Sequence, residues 1–251
     1  MLSDVTARGA GVPAAPDGAR GEETVLRAPS AGADIWYISL AGDAREAARH
    51  EAVLSAGEKK RAGEFRFEGD ALRYVIAHGA LRDILARYAG RDARQIAFSA
   101  GSAGKPALVA PRGSRRVGFN LAHSGNVALV AVSEWSGVGI DIEEITESLD
   151  LPSIARRCFS PAELGRLESV PPREYAGHFY TFWTRKEAYV KGRGDGLAAP
   201  LTEIDVSASP ARPGGGWIVR DIPVPPAYRG AVAARGGAES YRTFRYEDLP
   251  R

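Results

Sequence analysis

The sequence contains a single cysteine and no long apolar run. Cys158 is the one cysteine among 251 residues, so no intramolecular disulfide can form. This fits a reducing compartment, and we expect a cytoplasmic protein. Free cysteine is among the residue types most often buried, so Cys158 is expected to be a small core residue. No apolar stretch approaches the roughly 20 residues of a membrane-spanning helix, so no membrane partner is expected.

An excess of one charge is also missing. Lysine and arginine total 33 against 31 for aspartate and glutamate, a formal net charge of +2, which is too small to indicate a nucleic-acid partner. The basic, acid-free stretch at residues 105–117 contains no aromatic side chain on which a base could stack. We therefore expect no nucleic-acid binding.

The first 30 residues are rich in glycine, alanine and proline, and they lack the apolar segment of a secretory signal. Such a composition cannot bury enough apolar surface to fold, so residues 1–30 are predicted to be a disordered extension. The remainder is predicted to form an N-terminal half at residues 31–136 and a C-terminal half at residues 137–251, divided near Trp135.

Hydrophobic periodicity and turn residues predict a mixture of helices and strands. A Ser-Gly-Asn turn between two apolar runs indicates a hairpin. The predicted elements are a strand at 34–40, a helical region at 55–89, a strand at 95–99, hairpin strands at 119–123 and 127–133, a strand at 138–145, a helix at 174–191, and strands at 204–208, 217–219, 231–234 and 241–246. This order lacks the regular alternation of a doubly wound sheet, so the predicted class is α+β.

Two carboxylates stand close together in the segment Gly-Ile-Asp-Ile-Glu. Asp141 and Glu143 alternate with isoleucines, so in a strand both carboxylates point to one face. Their mutual repulsion would be relieved by a hard divalent cation. The alternative is an ordinary solvated strand face, which also alternates polar with apolar residues.

A third carboxylate lies on the predicted helix at 174–191. Glu187 and Lys191 are four residues apart, so they share one helix face. One interpretation is an exposed ion pair. The other is that Glu187 binds a metal ion and the ammonium of Lys191 binds a phosphate. Arg61, Arg73 and Lys105 are likewise either surface cations or phosphate ligands. His123, at the end of a predicted strand, is either a core histidine or a phosphate donor. Together these residues describe a site for a magnesium-bound diphosphate.

Four segments, in this order, resemble the signatures of the 4′-phosphopantetheinyl transferases. They are Gly-Lys-Pro at 104–106, FNLAHSG at 119–125, GIDIE at 139–143 and FWTRKEAYVK at 182–191. The likeness spans residues 54–204 and is to the long, monomeric, surfactin-synthetase-activating type. It implies two similar α+β halves related by a pseudo-two-fold axis, with the active site in the cleft between them.

The resemblance also implies a role for each matched residue. Asp141, Glu143 and Glu187 would bind Mg²⁺ together with the diphosphate of coenzyme A. Lys191 and His123 would contact that diphosphate. The remaining cations would bind the rest of the coenzyme: Lys105 the adenosine side, and Arg61 and Arg73 the 3′-phosphate.

Two positions leave alternatives open. Glu163 matches a further family carboxylate, but Ser160 and Glu163 also have the spacing of a helix capping box. Ala122 stands where the family often has a hydroxyl residue that helps to bind phosphate, which weakens one expected contact.

The implied activity is transfer of the 4′-phosphopantetheine arm of coenzyme A to a serine of an apo acyl or peptidyl carrier protein. Such carriers serve polyketide or nonribosomal peptide synthesis. The reaction would depend on Mg²⁺ and release 3′,5′-ADP, and the serine would be deprotonated by Glu187, or by Glu163 through a water. The alternative is a non-catalytic coenzyme A or nucleotide-binding protein, which would give no reason for the third carboxylate.

Overall fold

A computed structural model of the chain describes residues 25–30, 32–101, 104–110, 116–134, 137–196, 199–235 and 240–249. The elements of the N-terminal half are β1 (Ala33–Ser39), α1 (Ala44–Glu51), α2 (Ala56–Ala62), α3 (Glu68–Ala89), β2 (Phe98–Ala100), β3 (Pro106–Leu108), β4 (Gly118–Ser124) and β5 (Val127–Ser133). Those of the C-terminal half are β6 (Val138–Glu144), α4 (Leu151–Cys158), α5 (Pro161–Ser169), α6 (Pro172–Arg193), β7 (Trp217–Asp221), β8 (Tyr228–Arg235) and β9 (Tyr241–Arg245). The α+β class is confirmed. In the described part of the chain, no helix has both the length and the apolar character needed to cross a membrane.

Each half repeats one order of elements. A strand is followed by two short helices, a 22-residue helix (α3 or α6) and a hairpin (β4–β5 or β7–β8), with β2 and β3 inserted only in the first half. In both halves the first strand pairs antiparallel with the second strand of the hairpin. Both long helices end at a glycine in the left-handed region, Gly90 at φ 61° and Gly194 at φ 75°, a common helix C-terminus. The order favours the predicted two-fold relation, which stays a prediction.

The last strand returns to the first sheet. The two larger sheets have the strand orders β4-β5-β1-β9 and β6-β8-β7, and β9 lies parallel to β1. Phe244 of β9 stacks on Trp36 of β1 with ring centroids 4.7 Å apart. The division predicted between residues 136 and 137 stays a prediction. β9 belongs to the C-terminal half in sequence but pairs with β1 in the sheet of the N-terminal half. Trp135, at the predicted junction, lies outside the described residues.

The two halves meet along β4 and β6, which are joined through side chains. The side-chain oxygen of Asn120 accepts a hydrogen bond from the backbone N–H of Ile140 at 2.8 Å. The hydroxyl of Ser124 accepts one from the N–H of Glu144 at 3.0 Å. Ile140 packs into a core cluster that also contains Ile35 of β1. This joint brings the functional side chains of β4 and β6 beside one another.

Residues 204–208 form no strand, so that prediction is wrong. Their backbone groups are bonded to side chains of α5 and α6 instead. The N–H of Val206 donates to Glu163 at 2.8 Å, and its carbonyl accepts from Arg185 at 2.9 Å. The carbonyl of Ile204 accepts from Lys186. A backbone whose donors and acceptors are used in this way cannot also pair with a neighbouring strand.

Other predicted boundaries also change. The helical region at 55–89 is divided into α2 and α3, and the strand predicted at 95–99 begins only at Phe98. Cys158, at the end of α4, is partly exposed while it packs against a core cluster of α4, α5 and α6. Cys158 therefore borders this core as predicted, but it is only partly buried.

The predicted N-terminal extension is shorter than 30 residues. Residues 1–24 lie outside the described residues, but residues 25–30 are described. The N–H of Leu26 donates to the carbonyl of Arg87 at 2.9 Å, and the side chains of Leu26 and Ala28 pack against the first core. Residues 25–30 therefore pack on the N-terminal half and are not part of a disordered extension.

Deleting residues 1–28 should lower the melting temperature relative to deleting residues 1–24. The longer deletion removes one backbone hydrogen bond and the packing of Leu26 and Ala28, worth about 1–2 kcal/mol. That is a shift of about 2–6 °C in a chain of this size. Scanning calorimetry of the two truncated proteins measures it. Equal melting temperatures would show that residues 25–28 contribute nothing to stability.

Candidate active site

The carboxylates of β6 lie against α6 because two glycines let the backbones approach closely. A Cβ on Gly139 would lie 2.0 Å from the carbonyl oxygen of Ala188 and 2.3 Å from the nitrogen of Gly192, distances that no side chain can occupy. This contact places Asp141, two residues along the strand, beside Lys191 on the helix.

Asp141 is buried, which excludes the solvated strand face as an explanation for it. The residue is 1% exposed, and Lys191 donates to its Oδ1 at 2.5 Å. Its other oxygen, Oδ2, is buried and has no hydrogen-bond partner among the described residues. Burial, together with the charges of Glu143 and Glu187, outweighs Lys191 and raises the pKa of Asp141 to about 7. A buried carboxylate with an unused oxygen is a suitable place for a cation.

Glu143 and Glu187 complete a group of three carboxylates around Lys191. Ser124 of β4 donates to Glu143 at 3.0 Å. Burial and the charge of Glu187 raise the pKa of Glu143, against the hydrogen bonds of Ser124 and Trp183 and the charge of Lys191. Burial lowers the pKa of Lys191, but Asp141, Glu187 and Glu143 outweigh it and raise that pKa overall. The three acids predicted as a group are thus close enough to affect one another.

The chemistry of this group fits a hard cation, although the described side chains do not converge as a closed metal site. Carboxylate oxygens are the ligands that Mg²⁺ and Ca²⁺ prefer, and Oδ2 of Asp141 is available. No three acidic, histidine or cysteine side chains among the described residues surround one point. Lys191 instead holds Asp141, and Ser124 holds Glu143. Binding a metal would therefore require side-chain rotation at these positions.

Four basic side chains lie near one another, and one of them is bound to the carboxylates. Burial and the charges of His78, Lys191 and Arg73 lower the pKa of His123, so these four groups share one region. His123 is on β4, Arg73 and His78 are on α3, and Lys191, which is bound to Asp141, is on α6. Arg73 is also paired with Asp70 at 2.6 Å. A region in which carboxylates and cations meet suits a metal-bound phosphate ester.

The side chain of Lys105 links the two halves. Its ammonium donates to the carbonyls of Val138 at 2.7 Å and Gly192 at 3.1 Å. It therefore joins the loop before β3 to β6 and to the end of α6. The predicted contact of Lys105 with the adenosine side of coenzyme A stays a prediction. Arg61 is exposed, paired with Glu64 at 3.1 Å and placed over the ring of Phe65, so it lies at the surface.

Glu163 lies in the core, outside the group of three carboxylates. It is 0% exposed and accepts hydrogen bonds from the N–H of Ser160 and of Val206, each at 2.8 Å. The ammonium of Lys186 lies 2.9 Å from it. The capping box is present. Since every side of this carboxylate is used and none reaches solvent, we correct the predicted catalytic role to a structural one.

The N-terminal half contains the same arrangement around Glu58. The capping box of Ser55 and Glu58 begins α2, and Arg82 of α3 lies 2.8 Å from Glu58. Arg82 donates to the carbonyls of Ala93 and Ile96, which flank a 3-10 helix at Ala93–Gln95. Lys186 likewise donates to the carbonyls of Leu201 and Ile204, around the 3-10 helix Leu201–Glu203. A carboxylate and a cation therefore fix the long helix in each half.

Sequence reasoning missed three residues of the site region. Asn120 and Ser124 are in β4, the strand that carries His123. Their positions alternate with Leu121 and His123, so they lie on the other face of the strand. This spacing could have indicated that they join β4 to β6. His78 is one helical turn after Tyr74, so its position on the face of α3 could have been predicted from spacing alone.

Binding of a phosphate ligand to His123 should be accompanied by proton uptake. An imidazole whose pKa is lowered is neutral near pH 7, and an adjacent phosphate raises that pKa. Calorimetry of coenzyme A binding at pH 7, in two buffers of different ionisation enthalpy, gives the number of protons taken up. The wild type should take up more than His123→Gln, and equal values would show that His123 does not face the phosphate.

Comparison with known proteins gives one consistent family. Residues 137–221 match the model of the 4′-phosphopantetheinyl transferase superfamily, and residues 43–135 match that of the N-terminal part of 4′-phosphopantetheinyl transferase. The 4′-phosphopantetheinyl transferase HetI of Nostoc sp. is 38% identical over 179 residues, 71% of this chain and 75% of HetI. The psf-1 transferase of Bacillus pumilus is 35% identical over 187 residues, 71% of this chain and 78% of its own. The transferase Sfp of Bacillus subtilis is 30% identical over 170 residues, 68% of this chain and 73% of Sfp.

Proposed function

The chain belongs to the 4′-phosphopantetheinyl transferases of the Sfp-like type, and on that premise we propose its substrates and the roles of its residues. We propose that it moves the phosphopantetheine arm of coenzyme A onto a serine of an apo acyl or peptidyl carrier protein, with Mg²⁺, and releases 3′,5′-ADP. The observation that carries this is the buried Asp141, whose Oδ2 has no hydrogen-bond partner among the described residues. It lies beside Lys191 together with Glu143 and Glu187.

In this proposal the carboxylates hold the metal and the cations hold the coenzyme. Asp141, Glu143 and Glu187 are the metal ligands. Mg²⁺, when bound, neutralises charge on the diphosphate and favours attack on its phosphorus. Lys191 is released from Asp141 to contact the diphosphate, because its side chain is 34% exposed and reaches the cleft.

The remaining cations bind the other phosphate groups. His123 contacts the diphosphate from β4. Arg73 binds the 3′-phosphate, and Arg61 contributes to it only as an exposed, longer-range charge, since it lies at the surface. Ala122 is buried beside His123 and offers no hydroxyl to the phosphate.

Proton transfer falls to Glu187 once Glu163 is assigned to the core. Glu187 is partly exposed, so a carrier serine could reach it. It removes the hydroxyl proton while the serine oxygen forms a bond to the β-phosphorus. The bond from that phosphorus to the bridging oxygen breaks, and 3′,5′-ADP leaves with its new charge beside Lys191 and His123.

All the residues proposed for the site lie in one chain, so we propose that the enzyme works as a monomer. We propose that it acts in the cytoplasm. Residues 31–136 and 137–251 would be the two halves that flank the cleft. Asn120, Ser124 and Lys105 join these halves, which favours a rigid cleft over a hinged one.

Chromatographic detection of 3′,5′-ADP tests the proposal against a coenzyme-binding protein without turnover. Release should require an apo carrier, coenzyme A and Mg²⁺ together. It should stop when the carrier serine is replaced by alanine. Binding of coenzyme A without release, with several apo carriers, would favour the non-catalytic alternative.

A further inference from the structure

A second histidine lies in the basic region of the cleft. His78 of α3 stacks on Tyr74, one helical turn earlier, with ring centroids 4.0 Å apart and planes at 28°. Its charge contributes to the lowered pKa of His123 on β4, so the two imidazoles lie near each other. The side chain of His78 is 25% exposed, which leaves one edge of the ring open.

Glu58 holds the other edge of that ring. Nδ1 of His78 lies 3.7 Å from Oε1 of Glu58. Burial alone would raise the pKa of Glu58, but the contact with His78, the hydrogen bonds from Ser55 and the charge of Arg82 lower it to about 2. Glu58 is therefore anionic at neutral pH and favours a proton on Nδ1. With the ring face on Tyr74 and Nδ1 toward Glu58, Nε2 is the nitrogen left for a ligand.

The two halves differ at this point. In the C-terminal half, both oxygens of Glu163 are used by Ser160, Lys186 and Val206. In the N-terminal half, Oε2 of Glu58 is used by Ser55 and Arg82, and Oε1 is turned toward His78. Oε1 of Glu163 accepts a hydrogen bond inside the core, whereas Oε1 of Glu58 lies against the imidazole of His78. A purely structural pair would not need this partly exposed ring.

We propose that His78 binds a phosphate group of coenzyme A through Nε2 and that Glu58 positions its ring for this contact. The ligand is named on the strength of the proposed function. The chemistry recognised is a phosphoryl oxygen, which accepts from imidazole and is attracted by the neighbouring Arg73, His123 and Lys191. It belongs either to the 3′-phosphate or to the diphosphate.

The test is the affinity of His78→Gln for coenzyme A and for dephospho-coenzyme A, measured by calorimetry without metal. A charge-assisted hydrogen bond predicts a loss of about tenfold for coenzyme A. A loss confined to coenzyme A assigns the 3′-phosphate, and an equal loss for both ligands assigns the diphosphate. Unchanged affinity for both overturns the proposal. His178→Gln, the same change at an exposed position of α6, is the matched control and should bind both ligands normally.

A second measurement uses the wild type and does not depend on the folding of a variant. The chain has four histidines, so their imidazole signals can be followed by NMR in histidine-labelled protein. Saturation with coenzyme A should shift the Nε2 signal of His78, because that nitrogen would then donate to a phosphoryl oxygen. A purely structural His78–Glu58 pair would give the same Nε2 signal with and without ligand, and that result overturns the proposal.

Failure of this inference can be told apart from failure of the proposed function. Transfer by the wild type to an apo carrier is measured in parallel. Coenzyme A binding that weakens in His78→Gln, without any transfer by the wild type, overturns the transferase reaction and leaves the phosphate contact. If the wild type transfers normally and His78→Gln binds coenzyme A as tightly as the wild type, the phosphate contact is overturned and the transferase reaction stands. No binding of coenzyme A by the wild type overturns both.

Discussion

Asp141→Asn should abolish phosphopantetheine transfer, lowering kcat/KM by at least about a thousandfold. Asparagine keeps the shape of the side chain but removes the charge of the proposed metal ligand, a buried carboxylate whose Oδ2 has no hydrogen-bond partner among the described residues. The loss should persist at high Mg²⁺, because a neutral amide cannot replace a carboxylate between Glu143 and Glu187. Steady-state kinetics at saturating metal measures this effect.

The same variant should be as stable as the wild type without metal, or more stable. Burial raises the pKa of Asp141 from its ordinary value to about 7, so the folded protein binds a proton that the unfolded chain has released. The contribution of Asp141 to stability therefore falls as pH rises from about 4 to about 7, and Asp141→Asn lacks this loss. The difference in melting temperature should be small at pH 4 and largest above pH 7.

Glu147→Gln is the control for loss of a nearby negative charge, since Glu147 is exposed in the loop after β6. It should keep its activity and its melting temperature. Near-normal kcat for Asp141→Asn at saturating Mg²⁺ would contradict the metal assignment. A large fall in its metal-free melting temperature would show instead that Asp141 serves mainly to hold Lys191.

Lys186→Met should destabilise the protein by about 3–5 kcal/mol, the usual cost of leaving one member of a buried ion pair without its partner. Lys186 and Glu163 are both 0% exposed, so the remaining carboxylate cannot turn to solvent. Glu163→Gln should cost less, about 1–3 kcal/mol, because the amide oxygen still accepts one hydrogen bond. Denaturant unfolding of both variants and of the double variant measures these losses.

The double variant Glu163→Gln/Lys186→Met should lose less than the sum of the two single losses, since both belong to one interaction. At a temperature well below its melting point, Glu163→Gln should retain kcat within a few-fold of the wild type. The opposite pattern, a large loss of kcat with no loss of stability, would restore Glu163 as the catalytic base and contradict its assignment to the core.

Local signals were enough for part of this account. The β4–β5 hairpin, the capping box of Ser160 and Glu163, and the facing of Asp141 and Glu143 all follow from spacing over a few residues. Such patterns are set by the periodicity of strands and helices. They identified the acids of the candidate site, though not that Asp141 would be buried.

Contacts between distant parts of the chain could not be predicted in this way. The pairing of β9 with β1 joins residues 200 positions apart in sequence or more. The bond of Lys105 to Gly192 depends on how the two halves meet. Residues 204–208 have the composition of a strand, but Glu163, Arg185 and Lys186 take their backbone groups. At residues 204–208 tertiary structure overrides a local preference.

Intact-protein mass spectrometry of an apo carrier, incubated with coenzyme A, Mg²⁺ and the wild-type enzyme, shows whether the phosphopantetheine group is transferred. The carrier should gain the mass of one phosphopantetheine group on its serine. No gain should occur with a serine-to-alanine carrier, with Asp141→Asn or after chelation of the metal. Tight binding of coenzyme A by the wild type, with no gain in mass for any of several apo carriers, would contradict the claim that this chain is a phosphopantetheinyl transferase.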